Sequence, residues 1–402
     1  MALALAVLAA GCGSGTTTSQ EGRTLLVVVN APLSVSPEVG AEIVNGSKLA
    51  AQQINAGGGI STGDGVFRLR VQALDNGLSP QKALANVRRA VEEGAVAVVD
   101  EGTGVDASWP VAGRAHVPIC IVYQGGIGLV DPVKRPNVFR IAPTDHGIAF
   151  RLAEYLVPKG STIALLHDDT GYGQQGADAL HEAFGFTPRA VAADMGLASS
   201  SEGFAPEVLR ARRSGALVVW GVPMTVAQVI RDARSSGWNV PVYTPPAGED
   251  PVVRQQLSDH PEWVDGVTFA SGRMTAERGP GPFLSFQSAY ERAFGRKDVG
   301  VQTRSGQEVF QPPDYAMYPY DFVNVLADAI RAAREADGRR VIAALNEVDV
   351  RGANGDERGF NEKNHEGVVA DDVYFAVFRD MTFRPVEDDP LSSTLPVIPQ
   401  TR

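Results

Sequence analysis

Gly171-Tyr172-Gly173-Gln174-Gln175-Gly176 is the stretch whose spacing matches a cofactor-binding pattern. Glycines at those positions, after a strand and opening a helix, can bring backbone amides against a pyrophosphate. Asp194, 18 residues beyond Gly176, stands near where a ribose-binding acid belongs. Two features speak against that use. The first glycine comes four residues after His167 instead of directly at a strand end, and the motif lies deep in the chain. Asp168-Asp169, beside His167, could hold a cation or act as acid and base, although solvated strand-end residues are the commoner meaning of such a pair. His116, His146, His167, His181, His260 and His365 include no pair at metal-ligand spacing, and no zinc-protease, nucleophile-elbow or P-loop motif occurs. No metal, no cofactor and no catalytic residue is expected.

Two cysteines exclude a disulfide framework. Cys120, inside Val117-Pro-Ile-Cys-Ile-Val-Tyr123, is expected in the core. Cys12 follows an apolar run over residues 2–10, too short to span a bilayer but of the length of a signal-peptide core. Leu8-Ala9-Ala10-Gly11-Cys12 resembles a bacterial lipobox, in which the cysteine is acylated. Residues 1–11 are thus expected to be a lipoprotein signal peptide and 12–23 a flexible tether, small and polar. No Lys or Arg precedes the apolar run, so the true start is expected upstream.

The elements that must position any site alternate. Leu25–Val29 is a continuous apolar run, as in a strand buried on both faces of a parallel sheet. Helical patterns over 46–55, 82–93 and 106–115 separate strand patterns at 67–74, 96–99 and 119–123. A second series begins with a strand at 138–141 and a helix at 146–156, and runs to the strands at 240–243 and 268–271. Helices follow at 283–294 and 320–334, and a last strand at 374–378. Such alternation implies βαβ units, parallel sheets and an α/β fold. The whole has 402 residues, 44% hydrophobic and 21% charged, with a net charge of -11. That fits two or three soluble domains, and without a basic run it excludes a general nucleic-acid binder.

Several strings, in order, resemble the branched-chain amino-acid (Leu/Ile/Val-binding) class of periplasmic substrate-binding proteins, the type I solute receptors of ABC importers. They are Asn30-Ala-Pro-Leu-Ser34, Asn45 through Gly58 with its ending Ile54-Asn55-Ala56-Gly57-Gly58, Val138 through Asp145, Ile163 through Gly173, and Tyr320-Asp321. The resemblance covers about 25 to 380. It implies two Rossmann-like lobes with a ligand cleft between them, joined by three crossovers. Lobe 1 is expected from 24–142 and 272–345, lobe 2 from 143–271 and 346–388, and a tail from 389–402. It also implies closure on a small-molecule ligand and recognition of the closed shape by an ABC permease. With the lipid anchor, the protein is expected outside the cytoplasm, on the outer face of the cytoplasmic membrane or in the periplasm.

Carried over position by position, the family's site falls on Thr103 and Gly104 after the fourth strand, with Gly104 where the family has a serine. It falls on Gly125, Gly126 and Ile127 after the fifth, where a threonine is lost. Tyr172 matches the second-lobe tyrosine. Val222 stands for an aromatic residue, and Pro246 for the acid that holds a ligand ammonium, with Glu249 and Asp250 nearby. Backbone amides around Gly102–Gly104 and Gly125–Gly126 are expected to fix one carboxylate or carbonyl oxygen, and Trp109 to shield the site. These replacements favour a less polar carboxylate, amide or aromatic compound over a plain aliphatic amino acid. The alternatives are a ligand-sensing module of the same fold and an exported α/β enzyme, which would need a nucleophile–base pair or a metal.

Overall fold

The computed structural model describes residues 23–185, 187–271 and 281–394. The apolar run that opens this stretch is β1 (Arg23–Ala31), buried from Leu25 onward between two parallel neighbours. α1 (Pro37–Ala56) starts well before Gly46, where its sequence pattern begins. Gly46 is mid-helix because α1 meets the chain there: a Cβ would stand 2.0 Å from the carbonyl oxygen of Ala316. β2 (Ile60–Thr62), β3 (Gly65–Asp75), α2 (Pro80–Glu92), β4 (Ala95–Asp100), α3 (Val105–Arg114), β5 (Ile119–Ile121) and β6 (Val138–Arg140) follow. The first sheet runs β2-β3-β1-β4-β5-β6, parallel except for β2. Cys120 is fully buried in it, and burial pushes its thiol well up.

The second series is α4 (Asp145–Leu156), β7 (Ile163–Asp168), α5 (Gly171–Ala183), β8 (Val191–Leu197), α6 (Ala205–Ala211), β9 (Ala216–Trp220), α7 (Pro223–Ser235), β10 (Val242–Thr244), α8 (Pro251–Gln256) and β11 (Val267–Ser271). α9 (Gly281–Phe294) then returns to the first lobe, placing Phe283, Phe286 and Tyr290 in its core. The hairpin β12 (Asp298–Gln302) and β13 (Glu308–Phe310) buries Val299, Val301 and Val309 in the second lobe's core instead. α10 (Met317–Ala333), α11 (Gly338–Leu345) and the hairpin β14 (Asp349–Arg351) and β15 (Glu357–Gly359) follow. Phe360 and Val368, beyond them, still pack in the first core. β16 (Tyr374–Arg379) and β17 (Thr382–Pro385) close the second sheet, β17-β16-β11-β10-β9-β7-β8, as its antiparallel edge. The two lobes therefore exchange more chain than the boundaries read from sequence allow, because short hairpins with few apolar residues follow whichever core takes them.

The tail also begins later than expected. Asp389 and Ser392 are buried, and Asp389 accepts from the Arg151 guanidinium at 3.0 and 3.1 Å. The first and third crossovers run side by side. Arg140 N–H donates to His365 O at 2.9 Å and Gly367 N–H to Arg140 O at 2.7 Å. The Arg140 guanidinium grips Glu366 bidentately, at 2.7 and 2.6 Å. The His365 ring stacks on Phe139 at 4.1 Å.

Candidate functional site

In open parallel sheets the loops at the carboxyl ends of the strands form the binding crevice. Here those loops approach each other from the two lobes. A Cβ on Gly126, after β5, would stand 2.9 Å from Gln175 Oε1 on α5. Asp250, after β10, is pushed above the usual carboxylate range by burial and then by Glu38 at the start of α1 and by Asp314.

The first lobe's wall is a network of buried amides and acids. Asn30 Nδ2 donates to Asp100 Oδ2 at 2.7 Å, and Asn86 Nδ2 to Asn30 Oδ1 at 2.8 Å. Asn76 Nδ2 donates to Glu101 Oε1 at 2.9 Å, and Gln124 Nε2 to Thr103 Oγ1 at 3.0 Å. The two carboxylates also fold back on their own turn. Gly102 N–H donates to Asp100 Oδ1 at 2.7 Å and Thr103 N–H to Glu101 Oε1 at 2.9 Å. Burial, then the adjacent Glu101, raises Asp100 to about 7; burial raises Glu101 as well. The amides expected to hold a ligand oxygen at Gly102–Gly104 are thus taken at Gly102 and Thr103 by the chain's own acids. Gly104 itself faces α2: its φ is 77°, and a Cβ would stand 2.9 Å from Pro80 Cα. A side chain in the family's serine position has no room here.

The loop after β5 is different. Arg140 Nη1 donates to the carbonyls of Gln124 (3.1 Å) and Gly126 (2.9 Å), and Asp145 N–H to that of Gly125 (3.0 Å). With those carbonyls held back, the amides of Gly125 and Gly126 have no acceptor among the described residues. Gly125 is packed tightly, since a Cβ would meet Asp145 Oδ1 at 2.7 Å. Ile127 is 55% exposed. Trp109 does not shield this region; it is on α3 and lines a separate concavity with Arg339 and Ile342 of α11.

On the second lobe Asp168 is a staple and not a catalytic acid. It is fully buried and accepts from Val222 N–H at 2.7 Å, Thr225 Oγ1 at 3.2 Å and the Thr170 hydroxyl, tying β7 to the starts of α5 and α7. Val222 therefore contributes its backbone to the fold. Tyr172, half-buried, sits with its ring 6.1 Å from that of Trp220. Trp220 is fully buried, and its indole N–H has no acceptor among the described residues. Pro246 opens a short turn, Pro246–Glu249, whose Glu249 is fully buried, while Asp250 caps α8 through Val252 N–H at 2.9 Å. Asp194 is held by His181 at 2.6 Å and His167 at 3.4 Å, a cluster that sequence spacing did not reveal because two strands and a helix bring it together. Among the described residues no His, Cys, Asp and Glu group could hold a metal ion. The buried asparagines Asn30 and Asn76 and the half-buried Asn86 were also missed, since the signal of the first two is only a polar residue at or beside a strand end and that of Asn86 only a polar residue within α2.

The sequence profile of the family described as periplasmic binding protein matches residues 31–381. An amino acid binding protein of Pseudomonas aeruginosa is 25% identical over 350 residues, covering 82% of this chain and 84% of that one. A branched-chain amino acid transporter substrate binding protein from Streptococcus pneumoniae, solved in complex with isoleucine, superposes with a TM-score of 0.72 at 20% identity, covering 90% of this chain and 98% of that one. A solute binding protein of an ABC transporter from Rhodopseudomonas palustris, solved with 3,4-dihydroxybenzoic acid, gives 0.72 at 18% identity, over 90% of this chain and 95% of that one.

Proposed function

We propose that this chain, which belongs to the periplasmic binding protein family and is of its type I, branched-chain amino-acid class, captures one small ligand between its lobes and delivers it to an ABC importer. The family is one of extracytoplasmic solute receptors and not of enzymes. The reading adds a lipid anchor at Cys12, which lies outside the described residues. It adds a hinge formed by the paired first and third crossovers, about which ligand contacts to both lobes favour the closed state.

The observation that carries it is the meeting of the loop after β5, at Gly126, with the second lobe's α5, at Gln175. The proposed ligand sites are the amides of Gly125 and Gly126, with Ile127 beside them, against Tyr172 of the second lobe. Thr103, Gly104, Val222, Pro246 and Glu249 form the surrounding turns. With Asp100 and Glu101 buried nearby, a neutral carbonyl fits those amides better than a carboxylate, which would face like charge in a poorly solvated site. Amides and polar aromatic compounds are therefore proposed ahead of plain aliphatic amino acids. Native mass spectrometry of the purified protein identifies a copurifying ligand, and small-angle scattering with that ligand should give a smaller radius of gyration. Binding without contraction would refute closure, and turnover of the ligand would refute the receptor role.

A further inference from the structure

A second concavity lies away from the strand-end crevice, between α3, the entry to β6 and α11. It is a pocket of about 520 Å³. In a chain of net charge -11, its lining holds Arg114 and Arg339 and no Asp or Glu. Arg114 makes no ion pair among the described residues. Arg339 donates through Nε to His116 Nε2 at 2.7 Å, and its two terminal guanidinium nitrogens make no hydrogen bond or ion pair among the described residues. The nearest acid in sequence, Asp337, is occupied by the backbone amides of Arg339 and Arg340 at 3.1 and 3.2 Å.

The backbone around this pair is built for close approach. His116 holds a φ of 55°, the left-handed region that a non-glycine residue seldom adopts. Gly338 lies so near that a Cβ would stand 2.1 Å from His116 O. Strain of that kind persists where the surrounding structure enforces it. Here it brings the start of α11, and with it Arg339, onto the turn after α3.

The remaining lining supplies an apolar body and one unmet polar group. Trp109, on α3, and Ile342, on α11, both line the pocket. Asn137 is 2% exposed; its Nδ2 donates to Trp109 O and Val117 O, at 3.2 and 3.3 Å, while its Oδ1 accepts nothing from the described residues. Gly113, also in the lining, packs over that oxygen, where a Cβ would stand 3.1 Å away; the oxygen is closed to solvent, so a ligand donor meets it on a small shift of the Gly113 turn. An orphaned buried acceptor calls for a donor.

We propose that this pocket is a second binding site, separate from the cleft, for a small aromatic carboxylate that also carries an N–H or O–H donor. The carboxylate pairs with Arg114 and Arg339, whose planar guanidinium matches it in two-point contact. The ring lies against Trp109 and Ile342, and the donor reaches Asn137 Oδ1.

The test is calorimetric titration of the full chain with indole-3-acetate, with benzoate and inorganic phosphate as probes lacking the donor and the ring. Variants are Arg339→Gln, Arg114→Gln and, for the cleft, Tyr172→Ala. The expected result is one saturable site for indole-3-acetate that survives Tyr172→Ala and weakens at least tenfold in each arginine variant. Benzoate should bind more weakly and phosphate not measurably. The Arg114 side chain has no hydrogen-bond or ion-pair partner among the described residues, so its variant reads the ligand contact even if Arg339→Gln disturbs α11. The proposal is overturned by absence of saturable binding, by binding lost in Tyr172→Ala but kept in both arginine variants, or by phosphate binding as tightly as the aromatic acid.

Discussion

The carboxylate of Glu101 accepts the backbone N–H of its near neighbour Thr103 at 2.9 Å, so the turn after β4 closes on itself before any ligand arrives. Asp100 does the same with Gly102. A ligand carboxylate at this turn meets two buried acids in place of donors. Each lost hydrogen bond costs about 1–3 kcal/mol, or roughly tenfold to over a hundredfold in affinity. Leucine and isoleucine should therefore bind with dissociation constants above the micromolar range. Calorimetry reads this directly, and tight leucine binding would show that the Glu101 side chain swings away.

Gly176 lies against the indole of Trp220, where a Cβ would stand 2.1 Å from Nε1. The third glycine of the nucleotide-like motif is thus a packing residue between α5 and β9. Gly176→Ala cannot be relieved by a flexible side chain, and overpacking of this kind costs about 1–3 kcal/mol. A lower melting temperature is expected, together with weaker binding of the cleft ligand, since Tyr172 rides on the same helix. An unchanged melting temperature would count against the close contact.

Stability should rise as pH falls from 8 to 5. Burial lifts Asp100 and Asp321 to about 7 and Asp145 to about 6, against an ordinary 3.8, with Arg358 and Arg140 only partly opposing it at the latter two. A carboxylate whose folded pKa is raised contributes stability that is complete below the unfolded value and is lost as pH rises through the folded one. The window is therefore about pH 4 to 7. The lowered acids Asp75, Asp169 and Asp388 act in the opposite sense only as pH falls below about 4, whereas His365, lowered chiefly by burial, opposes the rise as pH falls below its ordinary 6.5, one group against three. Thermal melts across this range measure the effect, and a stability maximum at pH 8 would contradict it.

Asp389→Ala should destabilise the second lobe. It strands the Arg151 guanidinium, which is 5% exposed and otherwise keeps Glu154 and the carbonyl of Val373. Breaking a buried pair costs on the order of 3 kcal/mol or more, and Glu154 should hold the loss near the lower figure. Chemical denaturation measures it. A loss within error would place the described end of the chain outside the cooperative fold.

Cys12→Ala should move the protein from the membrane fraction to the soluble one. The prediction rests on the proposed lipid anchor at Cys12 in Leu8-Ala9-Ala10-Gly11-Cys12, and retention of the variant on membranes would overturn it.

The alternation of apolar runs and amphipathic stretches was enough to determine two α/β units. A parallel strand covered on both faces, such as Leu25–Val29, must be continuously apolar, and that is a local property of the chain. What a glycine is for was not local. Gly46, Gly104 and Gly176 read as a helix start, a site position and a phosphate turn, yet Ala316, Pro80 and Trp220 decide their roles. The same holds for the candidate site. Asp100 and Glu101 are visible in the sequence, but only the folded turn shows that they take the amides of Gly102 and Thr103. Asp389 likewise reads as tail until the fold brings Arg151 to it from 238 positions away. Periodicity records how one element meets its layer, whereas a close contact or a hydrogen bond between distant segments leaves no periodic trace and is set only when the layers pack.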